Sequence, residues 1–156
     1  QCSEACVLKA REICKKLGIS LVEANAANTS EVSEATRSIL AKGIDALWIG
    51  GDTVANASIR LIINLTRDYR IPVFSNDPTD ADKNALFGLG ANYFTVGQYT
   101  ADIAADILNG RNPASIPVKN RVPNRLGFNS EVLQNLKDEW EVTPAIKNLL
   151  AKQKNN

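Results

Sequence analysis

Short apolar runs separated by longer amphipathic segments restrict this chain to folds in which strands and helices alternate. The runs occupy residues 19–24, 46–49, 71–74 and 85–89. Between them, apolar residues recur every three or four positions, the spacing of one helix face. Residues 3–17 carry Cys6, Ala10, Ile13, Cys14 and Leu17 in this way, and Gly18 ends the segment. Asn28, Thr29 and Ser30 lead into a second helix with Val32, Ala35, Ile39 and Leu40, closed by Gly43. Thr53 caps a third, with Ala57, Leu61, Ile62 and Leu65 expected inward, and residues 93–108 form another, stopped by Asn109 and Gly110. Such alternation means right-handed crossovers and a parallel sheet covered by helices on both faces. The fold class is therefore α/β, a doubly wound parallel sheet with flanking helices. Its strands are expected at 19–24, 45–49, 71–75 and 85–89, all parallel.

Beyond Pro113 the rhythm stops. Residues 116–125 hold two prolines, and the remainder reads as helical, over 131–137 and 144–152. The start is also unusual, because a doubly wound domain opens on a central strand and this chain opens almost directly on a helix. At least one strand is expected upstream. The chain begins at Gln1 and has no Met, as expected of a processed or truncated product. With 156 residues and 44% apolar content, it is long enough to build one ordinary core.

Eighteen Lys and Arg against 17 Asp and Glu leave a net charge of +1 without a long run of either sign, so nucleic acid and charged membranes are not expected partners. No stretch approaches the roughly 18 to 20 consecutive apolar residues that cross a bilayer, and no signal peptide opens the chain. Cys2, Cys6 and Cys14 crowd into the first helix at no metal-binding spacing; structural burial is expected for them, and no cofactor or metal is expected. The absence of His rules out a Ser-His-Asp or Cys-His site within this chain, and no glycine-rich phosphate loop with its Lys is present. No catalytic function is expected.

In open parallel sheets, ligands lie beyond the carboxyl ends of the strands. Three places there combine turn or helix amides with hydroxyl or carboxylate groups: Cys2, Ser3 and Glu4; Gly50 to Thr53; and Ser75, Asn76 and Asp77. Such a set suits a small molecule with both an ammonium and a carboxylate. Asp52 and Asp77 are the candidates for the amine, and Ser3 and Thr53 for the carboxylate. The competing reading is local: Asp52 or Thr53 caps a helix, and Asp77 with Pro78 turns the chain. Trp48, Tyr69, Tyr93 and Trp140 read as packing residues rather than a stacking platform.

Taken in order, several segments resemble a known family. They are Lys15 to Ile19; Ala46 to Ile49 with Asp52, Thr53 and Val54; Ile71 to Asp77; Ala85 to Gly90 followed by Tyr93 and Gly97; and Ile116, Pro117 and Val118. The set resembles the ABC-transporter substrate-binding proteins of type I periplasmic binding protein fold, whose characterised members take up aromatic amino acids and related solutes. The resemblance implies two α/β lobes that close on a ligand like jaws, joined by three crossings of the chain. Residues 1–118 would form the second lobe, short of its first strand. Residues 119–156 would hold the last crossing, at Lys119 to Pro123, and a helical tail packing on the first lobe.

Carried over by position, the family's Asn-Ser pair falls on Cys2 and Ser3, keeping the hydroxyl and losing the amide. Its Asp-Asn-Thr turn falls on Asp52 and Thr53, one residue short, and its aspartate after the next strand is kept as Asp77. The ligand-binding set implied is Ser3, Asp52, Thr53, Asn76 and Asp77. The partners implied are a small polar ligand such as an amino acid, an ABC permease in the membrane, and the first lobe of the same protein. Such a protein works in the periplasm or outside the cell, behind a signal peptide or lipoprotein anchor. Two other functions fit the fold, the effector domain of a sugar-type repressor and a small α/β enzyme; a repressor would carry a DNA-binding headpiece upstream.

Overall fold

The computed structural model describes the backbone of residues 2–154 and the side chains of residues 4–153. Its centre is a sheet of four strands, β1 (Leu47–Ile49), β2 (Val73–Ser75), β3 (Phe87–Ala91) and β4 (Asn124–Phe128), lying side by side in that order. The first three run parallel, with Trp48 beside Phe74 and Phe74 beside Phe87. β4 runs antiparallel to β3, from Ala91 opposite Asn124 to Phe87 opposite Phe128.

Period two sends alternate strand residues to opposite faces. Leu47, Ile49, Val73 and Ser75 are buried on one face, beneath α2 (Val32–Leu40) and α4 (Ile59–Asp68). Val32, Ile59, Ile62, Ile63 and Ala85 complete this core. Each buried aliphatic side chain stabilises the fold by about 1.5–3 kcal/mol over its exposed state, so a charge at Ile62 would break the layer. The other face shows Trp48, Phe74, Phe87 and Leu89, which are exposed or half-buried. Residues of the tail reach it: Trp140 packs on Phe74 with ring centroids 5.8 Å apart, and α7 (Pro144–Lys154) lies near β4, where the Gln153 amide oxygen accepts the Leu126 N–H.

Several expectations are corrected. Residues 19–24 form no strand; α1 (Cys2–Leu17) ends at Gly18, and residues 19–26 take no regular structure. A strand needs a ladder partner for its amides. In the doubly wound order 2-1-3-4-5, β1, β2 and β3 correspond to the last three positions. A strand at 19–24 would then pair only with one preceding α1, and no such strand lies among the described residues. Ile19 and Leu21 accordingly stay exposed. Cys6 and Cys14 are half-buried free thiols rather than buried ones, because the apolar face of α1 has no sheet beneath it; the Cys2 side chain lies outside the described residues.

The helix expected from Thr53 is two, α3 (Thr53–Ala57) and α4, broken at Ser58. The break rotates the second piece, so Ile59, Ile62, Ile63 and Leu65 face the core while Ala57 and Leu61 are exposed. The fourth strand was expected at residues 85–89 and lies two residues later, since Ala85 and Leu86 are spent on the turn from a 3-10 helix (Pro78–Lys83). Residues beyond Val118, expected in the last crossing and the tail, return to this sheet. β4 returns to the sheet, Leu126 and Leu136 are buried, and Arg70 donates to the carbonyls of Asn135 and Leu136 at 3.0 Å each. Residues 124–128 are therefore a strand of this sheet and the residues up to 137 pack against it, and the helix expected over 131–137 is a single turn, α6 (Ser130–Leu133).

Candidate functional site at the carboxyl rim of the sheet

Because β1 and β2 are parallel neighbours, the turns that follow them leave the sheet on the same edge, side by side. After β1, Gly50 and Gly51 turn the chain. Gly51 has a φ of +78°, which L side chains rarely adopt, and at Gly50 the Trp48 ring lies where a β-carbon would be, 2.8 Å from that position. The ring thus folds over its own turn. Its Nε1–H donates to Asn76 Oδ1 at 3.2 Å, tying the end of β1 to the turn after β2.

Asp52 follows and caps α3. Its Oδ1 accepts the N–H groups of Val54 and Ala55, both at 2.9 Å. The cap is Asp52 rather than Thr53, which is exposed as the first residue of the helix. The second turn is built similarly. The buried Ser75 hydroxyl donates to Asp77 O at 2.9 Å and accepts from Asp77 N at 3.1 Å, while Asp77 Oδ1 accepts the Thr79 N–H and hydroxyl at 2.8 Å each. A carboxylate has two oxygens and about four acceptor positions. Capping through Oδ1 alone fixes each side chain and leaves acceptor capacity for a cation.

The second turn rests on glycine. β-Carbons at Gly88, Gly90 and Gly127 would lie 2.1, 2.0 and 1.9 Å from the carbonyl oxygens of Asp77, Asn76 and Pro78. Three successive carbonyls therefore sit against the sheet where only glycine leaves room. Gly88 and Gly90 are two apart in one strand and so share a face. That spacing is the signal in the sequence by which the seat could have been found.

Asp52, Thr53, Asn76 and Asp77 are thus brought to one rim, two from each turn. Ser3 falls in α1, and its side chain lies outside the described residues. Asn76 is exposed and serves as the bridge to Trp48, a residue read from the sequence as packing only. Beside the bridge, an open hollow of about 380 Å³ is lined by Trp48, Phe74, Ser75, Asn76, Phe87 and Leu89. A second hollow, about 430 Å³, lies at the opposite end of β2 among Arg67, Asn84, Glu131 and Asn135. It marks the seam where Arg70 fastens the tail, and it is remote from the strand ends where such sheets bind ligands. Among the described residues, no cluster of three His, Cys, Asp or Glu is placed to hold a metal, and no helix is long and apolar enough to cross a membrane.

A mostly parallel α/β sheet with adjacent polar turns on its carboxyl rim presents those turns where such sheets bind small molecules. The model of the family described as ABC transporter substrate binding protein matches residues 1–141, and the chain belongs to that family. It is a family of binding proteins, not enzymes. The chain is 25% identical over 122 residues to a tyrosine-binding protein of Clostridioides difficile, covering 78% of this chain and 35% of that protein. A conserved domain protein from Vibrio cholerae superposes with a TM-score of 0.71 at 27% identity, over 92% of this chain and 49% of that one. The ligand-free, open structure of a substrate binding protein with adhesive properties from Clostridium difficile gives 0.67 at 27%, over 92% and 48%. An ABC domain from Streptococcus pneumonia in complex with L-Trp shares the fold, with a TM-score of 0.75 at 16% identity. The chain spans about half the length of these solved structures and about a third of the curated relative.

Proposed function

We propose that this chain is one lobe of the solute-binding protein of an ABC importer, which captures an amino acid between two lobes outside the cytoplasmic membrane and delivers it to the permease. The observation that carries this reading is the pair of turns on one rim, held together by Trp48 and Asn76, with Asp52 and Asp77 each fixed through one oxygen. In this reading a ligand ammonium meets the remaining carboxylate capacity, and Ser3 and Thr53 meet its carboxylate. The tyrosine-binding relative and the ABC domain in complex with L-Trp support an aromatic amino acid as the ligand. Trp48, at the mouth of the hollow, offers a ring for it to pack on.

Calorimetry on the protein carrying both lobes tests this, with tyrosine, tryptophan and a sugar as titrants. Micromolar binding of an amino acid, weakened about tenfold or more by Asp77→Ala or Asp52→Ala, is the expected result. Undiminished binding in both variants would remove the rim assignment, and binding of the sugar alone would remove the ligand class.

A further inference from the structure

The hollow of about 430 Å³ at the amino end of β2 falls within the roughly 300–1,000 Å³ of small-molecule sites. It shares no lining residue with the hollow at the rim, and the two differ in kind. The rim hollow is walled by aromatic rings, whereas no aromatic residue among those described lines this one. Its floor is aliphatic: Ile63, Ile71, Val73 and Leu136 are all buried. Thr66, 1% exposed, adds no free polar group, because its hydroxyl donates to Ile63 O at 3.0 Å. Such a floor suits a branched aliphatic body.

The mouth is charged. Arg67 comes to it from the last turn of α4 and Glu131 from the first turn of α6. Among the described residues, neither charged group has an ion-pair partner. Arg70 also lines the hollow but is spent: it donates to Asn135 O and Leu136 O, and its own carbonyl accepts the Lys137 N–H at 2.8 Å. Arg70 and Asn84 are the non-glycine residues of positive φ among the described residues, at +56° and +73°, and both line this hollow. Glycine adopts that backbone freely and other residues only at a cost, and such strain gathers at ligand sites. Asn84 Oδ1 accepts from Asn129 Nδ2 at 3.4 Å, which leaves the amide N–H groups of Asn84 to donate elsewhere. The walls are tied before any ligand arrives. Asn129 caps α6 and donates to Ala81 O at 3.1 Å, and Asn135 Nδ2 donates to Glu131 O at 3.0 Å.

We propose that this hollow is a second small-molecule site, built for an aliphatic amino acid whose side chain lies on the floor, whose carboxylate meets Arg67 and Asn84, and whose ammonium meets Glu131. A guanidinium can grip a carboxylate through two parallel N–H groups, and an ionised carboxylate only accepts, so each charge at the mouth selects the opposite end of the ligand. The inference uses no residue of the rim and stands apart from the proposed function. A ligand held in this way bridges α4 to residues 131–136, and so fastens the tail where the Arg70 bonds already hold it.

Site-resolved amide NMR on the full-length polypeptide that contains this chain tests the assignment, with L-leucine and isocaproate as probes up to about 10 mM. Leucine is expected to shift the amides of residues 66–71 and 131–137 and to slow exchange at the Lys137 amide. Arg67→Gln and Glu131→Gln should each weaken it by about tenfold or more, and Arg67→Lys, which keeps the charge without the fork, should recover part of the loss. Isocaproate has the same body without the ammonium; it should bind about tenfold more weakly and lose nothing further with Glu131→Gln. Absence of any shift at these amides overturns the site, and so do shifts confined to residues 50–53 and 75–79, which would put leucine at the rim. Equal binding of the two probes overturns the role of Glu131. Arg67 and Glu131 are exposed, so the variants should keep the fold; if one does not, the wild-type shifts with the two probes decide.

Discussion

Gly90→Ala tests the glycine seat that positions the second turn of the rim. The new methyl would lie 2.0 Å from Asn76 O and 3.0 Å from its carbonyl carbon. An ordinary contact between carbon and carbonyl oxygen is about 3.3 Å, so the turn must retreat by about 1.3 Å or β3 must bend. Neither is easy. The obstacle is backbone, and Pro78, Asp80 and Ala81, which follow the turn, are buried. Overpacking of this kind costs about 1–3 kcal/mol; at about 2 kcal/mol the Tm of a chain this size falls by about 4–8 °C. Thermal unfolding followed by circular dichroism on the 156-residue chain measures it. Gly97→Ala is the matched control, because nothing lies within 4 Å of its β-carbon position and it sits inside α5 (Tyr93–Leu108). There alanine should be neutral or stabilise by about 0.5–1 kcal/mol. A Gly90→Ala protein that melts with the wild type would refute the seat.

Three other outcomes follow from named contacts. Lys83→Met removes the partner of Asp80, a carboxylate only 2% exposed and bonded to Lys83 Nζ at 2.8 Å, and urea unfolding should show a loss of about 2–4 kcal/mol; no loss would mean that the pair does not stabilise the fold. Glu23 is bonded through both oxygens to Arg11, and that hydrogen bond holds its pKa below the usual 4.5. The stabilisation is present above the unfolded value and lost as pH falls through the folded one, so Glu23→Gln should narrow the difference in Tm between neutral and acidic pH, and an unchanged difference would count against the pair. On the proposed two-lobe reading, the 156-residue chain should bind an amino acid far more weakly than the protein carrying both lobes. If the absent lobe supplies half of the roughly 8 kcal/mol of micromolar binding, the remainder is near millimolar, and equal affinities by calorimetry would show the rim to be complete in this chain.

The alternation of apolar runs was enough to find β1, β2 and β3 to within two residues, because each is short, buried on one face and followed by a turn. It could not locate β4. Residues 124–128 alternate weakly and follow two prolines, and their place depends on pairing with β3 across the excursion of α5. Residues 19–24 failed for the converse reason: they have the strand's composition and no partner among the described residues. Periodicity reports which side chains favour a sheet, while hydrogen-bond partners decide whether one forms. The same limit explains α5. Its pattern specifies a helix correctly and leaves open what its apolar residues meet, none of which is buried.

The site was legible in part because capping and ligand binding draw on the same residue types. Reading Asp52 as a cap and Asp77 as a turn residue was opposed in the sequence to reading them as ligand groups, and the structure shows both carboxylates bonded locally through Oδ1. The alternatives are nevertheless compatible. A carboxylate fixed by two donors has lost most of its rotamer freedom before any ligand arrives, so the ordering cost of a further contact falls. The element invisible to the sequence is the bond from Trp48 to Asn76, 28 residues apart. It fixes the spacing of the two turns, and with it the distance a single small molecule would have to bridge. Neither turn's composition encodes that distance, since it arises from the parallel register that sets Ile49 beside Ser75.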